Sequence, residues 1–102
     1  MSWIDAGPTA AIDEGETVSV TVGRRAVVVA RSGEEYFALE DVCTHDGAEL
    51  SGGEIEGDEI ICPRHGARFC MRTGEALTPP AYEPIRVFAT KVDGGHLWVR
   101  AD

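Results

Sequence analysis

The chain has 102 residues, enough for one domain (1–102) with a modest hydrophobic core. Eighteen acids against nine bases leave a formal net charge of −9, which disfavours nucleic acid and anionic membrane as partners because both reward positive charge. No apolar run approaches the roughly 20 residues of a membrane span, so a soluble protein is expected.

The opening stretch "MSWIDAGPTAAIDEGE" has acids where a signal peptide needs a basic region and an apolar core. Arg24 and Arg25 precede "AVVVA", too far in and before too short a run for a twin-arginine export signal. A cytoplasmic location is the expectation. "TVSVTV" (17–22) alternates polar and apolar, which predicts a strand with Val18, Val20 and Val22 on one face. "RAVVVAR" (25–31) is a continuous β-branched run, and "SGEE" (32–35) predicts a turn into "YFALED" (36–41). "GEIEGDEII" (53–61) reads as a hairpin turning at Gly57-Asp58. After "TPPAYEP" come "IRVFATKV" (85–92), the turn "DGG" (93–95) and "HLWVR" (96–100). No segment keeps helical periodicity over three turns. Short, evenly spaced strands predict an all-β antiparallel sandwich or small barrel.

Three cysteines are an odd number and a low density, which argues against a secreted disulfide scaffold. Two of them sit in matched pieces at strand-to-loop junctions. "CTHDGAEL" holds Cys43 and His45; "CPRHGARF" holds Cys62 and His65. The pattern is C-x-H, sixteen residues, then C-x-x-H. Each pair is short enough to clamp a metal from one loop. Two thiolates and two imidazoles fit a structural zinc site by ligand type. They also fit a [2Fe–2S] cluster with both cysteines on one iron and both histidines on the other. Zinc fingers group like ligands within a knuckle, whereas each knuckle here mixes Cys with His, which suits a two-iron unit.

With "RTGEALTPPAYEPIRVF" behind them, these pieces resemble the cluster-binding loops of a Rieske-type ferredoxin, and the chain is similar to the small ferredoxin component of multicomponent ring-hydroxylating oxygenases. The resemblance extends from Trp3-Ile4-Asp5 to the last strand. It implies a Rieske-like antiparallel β-sandwich of three sheets with the cluster at one tip. It also implies one [2Fe–2S] cluster per chain, with Cys43 and Cys62 on the buried iron and His45 and His65 on the outer one. The cluster-binding loops would span about 42–51 and 61–70. A proline-containing loop, about 77–82 with Thr78-Pro79-Pro80, would cover the cluster from one side. High-potential relatives have a loop-to-loop disulfide where this chain has Ala48 and Arg64. They also have hydroxyl donors where it has Ala67 and Phe69, so a low potential is implied. Cys70 stands where the family usually has aspartate, and is read as a thiol with no metal role.

The activity implied is not enzymatic: a one-electron carrier, a monomer, taking electrons from a flavin-dependent NAD(P)H reductase and delivering them to a terminal non-haem iron oxygenase. The alternatives are a regulatory, cluster-assembly-associated or nitrite-reductase-small-subunit-like Rieske module, or a zinc-stabilised interaction domain. His96 is read as a rim histidine, and Trp3 and Trp98 as packing residues. Between Ser32 and Pro63 lie ten acids and no lysine or arginine, with Arg64, Arg68 and Arg72 following in quick succession. Such a run is either a solvated acidic face or a docking surface for a basic partner.

Overall fold

The computed structural model describes residues 3–43, 47–64, 66–79 and 81–100. Among the described residues nine strands run in chain order: β1 (Trp3–Pro8), β2 (Thr17–Val22), β3 (Arg25–Ser32), β4 (Glu35–Glu40), β5 (Glu54–Glu56), β6 (Glu59–Ile61), β7 (Arg68–Cys70), β8 (Val87–Asp93) and β9 (His96–Arg100). A single 3₁₀ turn, Thr9–Ala11, follows β1. All pairings are antiparallel. No helix among the described residues is long and apolar enough to cross a membrane.

Six strands form one sheet in the order β1-β9-β8-β4-β3-β2, and β5-β6-β7 form a second, smaller one. The three sheets implied by resemblance are visible as segments, but two of them are continuous. Strand β8 joins them: Val87 and Phe88 pair with Leu39 and Ala38 of β4, while Ala89 to Asp93 pair with β9. Strand β8 is thus shared by both parts of the large sheet, and apolar side chains are buried on both of its faces.

The run "AVVVA" now has its reason. A strand buried on one face alternates, whereas a strand buried on both is apolar throughout. Val27 and Val29 of β3 join Val22, Leu97 and Val99 in one buried cluster. Val28 and Ala30, pointing the other way, join Leu39, Leu50, Ile60 and Phe69 in a second. The second cluster is what attaches the small sheet to the large one.

Most boundaries agree with the sequence reading. The hairpin turns at Gly57-Asp58, with Glu56 opposite Glu59. Three elements differ. Strand β1 exists by pairing with β9, with an irregular register between Asp5 and Pro8 that accommodates its glycine and proline. Strand β7 is three residues inside "CPRHGARF" and its neighbour Cys70, paired along β6. Strand β8 starts at Val87 rather than Ile85, because the Ile85 N–H turns aside to donate to the Gly74 carbonyl (2.8 Å).

Candidate metal centre

Cys43 follows β4 and Cys62 follows β6, so both sit where a strand gives way to a turn. Both are fully buried, at 0% and 1% exposure, and belong to the same cluster as Leu50, Ile60, Ala67 and Phe69. Neither is in a disulfide. His45 and His65 lie outside the described residues, as does Pro80. Among the described residues no three His, Cys, Asp or Glu side chains gather as a metal site, and the expected set includes those two histidines.

The two cysteines are held by the same backbone arrangement. The Cys43 N–H donates to the Ala48 carbonyl (2.6 Å), and the Gly47 N–H donates back to the Cys43 carbonyl (2.8 Å). Nineteen residues later the Cys62 N–H donates to Ala67 (2.7 Å) and the Gly66 N–H returns to Cys62 (3.0 Å). Closing such a turn requires positive φ at its fifth residue, and Gly47 and Gly66 have φ of 77° and 74°. The sequence signal is C-x-x-x-G.

That signal occurs a third time. The Cys70 N–H donates to Glu75 (2.9 Å), the Gly74 N–H donates to Cys70 (2.7 Å), and Gly74 has φ of 81°. A Cβ on Gly74 would also fall on the Ile85 carbonyl oxygen, so no other residue fits. Here the thiol is half-buried. The Thr73 hydroxyl, then the Thr73 and Arg72 backbone, hydrogen-bond its sulfur and hold its pKa below the ordinary thiol value.

The loops around the cysteines are tied down. A recess of about 340 Å³ opens between Gly52-Gly53-Glu54, at the exit of the first loop, and Cys62, Pro63 and Gly66 of the second. The proline-containing loop is pinned to β7: the Thr78 hydroxyl accepts from the Arg68 N–H (2.9 Å), and the Leu77 N–H donates to the Arg68 carbonyl (2.8 Å). Ala81 is buried, while Leu77 and Tyr82 present apolar surface, Tyr82 at 81% exposure.

Among the described residues, five carboxylates of the acidic run pair with arginines outside it, Glu40 with Arg25 among them. Arg68 Nη1 lies 3.0 Å from Glu56 and 3.2 Å from Glu59. These two carboxylates hold the guanidinium firmly in its charged form. Arg72 pairs with Glu35 and with Asp58. Asp41 is buried and hydrogen-bonded. Among the described residues, Glu49 and Glu54 leave exposed carboxylates toward the first loop. His96 is a rim residue, its Nδ1 2.9 Å from Asp5. Trp3 and Trp98 are half-buried, Trp3 with Lys91 and Arg100 over its ring and Trp98 donating its indole N–H to Asp93.

Buried cysteine sulfurs on two matched turns are a donor set suited to a soft or borderline metal, and a pair of them fits one iron of a [2Fe–2S] unit. The chain matches the family "Rieske [2Fe-2S] domain" over residues 2–89. It is 35% identical over 100 residues to the 3-phenylpropionate/cinnamic acid dioxygenase ferredoxin subunit of Escherichia coli strain K12, covering 97% of this chain and 93% of that protein. Its structure superposes on the ferredoxin of carbazole 1,9a-dioxygenase from Nocardioides aromaticivorans IC177 with a TM-score of 0.94 at 28% identity, over 100% of both chains. It also matches a chain in a complex of reduced oxygenase and oxidised ferredoxin in carbazole 1,9a-dioxygenase, with a TM-score of 0.87 and 36% identity over 95% of this chain and 91% of that one.

Proposed function

This chain belongs to the Rieske [2Fe–2S] domain family, whose cofactor is a [2Fe–2S] cluster, and from that premise we propose that it carries single electrons to a terminal Rieske non-haem iron oxygenase. The observation that carries the proposal is the pair of buried thiols, Cys43 and Cys62, on matched turns of a fold shared over its full length with an oxygenase ferredoxin. Cys43 and Cys62 hold one iron and His45 and His65 the other. The cluster supplies one-electron chemistry when bound. The chain's own contribution is to hold the ligands and keep water from the thiolates. The exposed Leu77 and Tyr82 offer a partner apolar surface beside the loops.

The likeness to the dioxygenase ferredoxin subunit makes it an electron-transfer component rather than a catalytic subunit. A flavin-dependent NAD(P)H reductase is the natural donor, because a flavin splits a hydride's two electrons into the single steps that such a cluster accepts. The reading also covers a cytoplasmic location, a monomer, and one domain over 1–102.

The test is a reconstituted chain of transfer. The purified protein, brown with the visible bands of a [2Fe–2S] centre, is reduced by NADH through a ferredoxin reductase. It is then mixed with an oxygenase of the ring-hydroxylating class. Reoxidation that depends on oxygenase and its aromatic substrate is expected. A colourless protein with zinc at one equivalent, or a cluster that the reductase cannot reduce, overturns the proposal.

A further inference from the structure

The first loop is closed by one side chain outside the ligand set. Asp41 ends the chain's approach along β4, two residues before Cys43, and is 6% exposed. Its Oδ1 accepts two backbone N–H groups from the other end of the same loop, Leu50 at 2.7 Å and Ser51 at 2.9 Å. Its Oδ2 accepts the Ser19 hydroxyl of β2 at 3.2 Å. Next along the chain, the Gly52 N–H donates to the Thr17 hydroxyl of β2 at 2.8 Å. Entry and exit of the loop are thus stapled to each other and to the edge of the large sheet. A carboxylate taken from water is costly unless its oxygens are satisfied, and charge-assisted bonds to amide donors are among the stronger kind. Here both oxygens are used, and what they fix is the segment that contains Cys43.

We propose that Asp41 is the positioning residue of the centre: by closing the 42–51 loop it holds Cys43 in place and slows loss of iron. This rests on Cys43 being a ligand. Groups that orient metal ligands are worth roughly 10–100-fold in metal affinity, and Asp41 acts on Cys43 through the backbone of the loop it closes.

The experiment challenges the loaded protein with an excess ferrous-iron chelator under reducing conditions and follows loss of visible absorbance. Asp41→Asn keeps a carbonyl oxygen for the Leu50 and Ser51 amides and gains an amide to face the Ser19 hydroxyl, so it should release iron within about twofold of wild type. Asp41→Ala should release it roughly 10–100-fold faster. Rescue by asparagine, with the same visible circular dichroism as wild type, separates positioning from general destabilisation. Should the alanine variant fail to fold, hydrogen exchange on the wild-type protein decides the question. The Leu50 and Ser51 amides should then be among the slow ones. Asp41→Ala releasing iron at the wild-type rate, or those amides exchanging like exposed ones, overturns the proposal. Cys43→Ala serves as control: if it too retains the full iron content, it is the ligand assignment that fails and not the staple.

Discussion

Arg72, in the turn after β7, grips Glu35, at the start of β4, through two parallel bonds: Nη1 and Nη2 lie 2.7 and 2.6 Å from the two carboxylate oxygens. Its Nε lies 3.3 Å from Asp58 in the hairpin turn, and its guanidinium carbon 5.3 Å from the Phe37 ring centroid. One side chain therefore spans the small sheet, the large sheet and the hairpin. The fork geometry is specific to arginine.

This pair predicts a pH dependence with a definite sign. The Arg72 bonds hold the Glu35 carboxyl below its ordinary value. A depressed carboxyl stabilises the fold fully above its unfolded pKa, and that stabilisation fades as pH falls through the folded value. The difference in urea midpoint between wild type and Glu35→Gln should be present at pH 7 and shrink as pH is lowered from about 5 toward 3. Both groups are exposed, so the effect should also weaken with salt. A midpoint difference that grows on acidification refutes the assignment.

The ligand assignment predicts a clean division among the cysteines. Cys43→Ala or Cys62→Ala should give colourless protein, with folding impaired because metal binding and folding are coupled in a domain of this size. Cys70→Ser should stay coloured. Iron content per chain reads both outcomes, and a Cys70→Ser protein purified without iron contradicts the scheme.

Cys70 still has a chemistry of its own. With its thiol pKa lowered by the Thr73 hydroxyl, it should react with iodoacetamide faster at pH 7.5 than its Thr73→Ala variant. Both rates should converge near pH 10, where each thiol is ionised. Mass spectrometry of the alkylated peptide follows the reaction, and equal rates at pH 7.5 would remove the hydroxyl from the explanation.

Docking is the fourth prediction. Glu56 and Glu59 are partnered by Arg68, so reversing them places like charges around a cation and tests stability rather than encounter. Glu49→Lys with Glu54→Lys changes exposed carboxylates near the first loop instead. Electron-transfer rate with a basic partner should fall as salt screens the field over about 8–10 Å, and the double reversal should flatten that slope. Stopped-flow rates across ionic strength measure it. A wild-type rate indifferent to salt points to the apolar surface of Leu77 and Tyr82.

The last prediction concerns potential. Ala67 and Phe69 are fully buried and carry no hydroxyl, so neither side chain can donate to cluster sulfur. Donors aimed at the sulfurs favour the more negative reduced state, and their lack implies a potential near the low end of the Rieske range, about −150 mV. Ala67→Ser with Phe69→Tyr should raise it by roughly 50–150 mV, where about 59 mV is tenfold for one electron. Voltammetry on both proteins decides.

What the sequence made legible follows from the range of each interaction. Strand β2 alternates and β9 lies between clear turns, so both are readable to the residue, and the spacing picks out Cys43 and Cys62, which the fold brings into one buried cluster. Strand β7 is not readable, because three residues carry no periodicity and their strand state comes from pairing with β6. Strand β1 likewise depends on β9, more than eighty residues away in sequence. The acid run reads as a surface because no arginine lies within it, and only the fold brings Arg72 to Glu35. In the sequence Asp41 reads as the end of a strand, since nothing local announces that its acceptors face Leu50 and Ser51.

The three C-x-x-x-G turns have a consequence for how such a chain can vary. Residues 43–48 and 62–67 differ in where the histidine falls, third in one and fourth in the other, yet both spans are closed by the same two hydrogen bonds. What the spans share is a cysteine that both donates and accepts in closing the turn and a glycine of positive φ at the fifth place. The turn at Cys70 is closed in the same way but holds Met71, Arg72 and Thr73 where the other two spans hold a histidine. The histidine can thus fall at either place within the span while the closure stays the same.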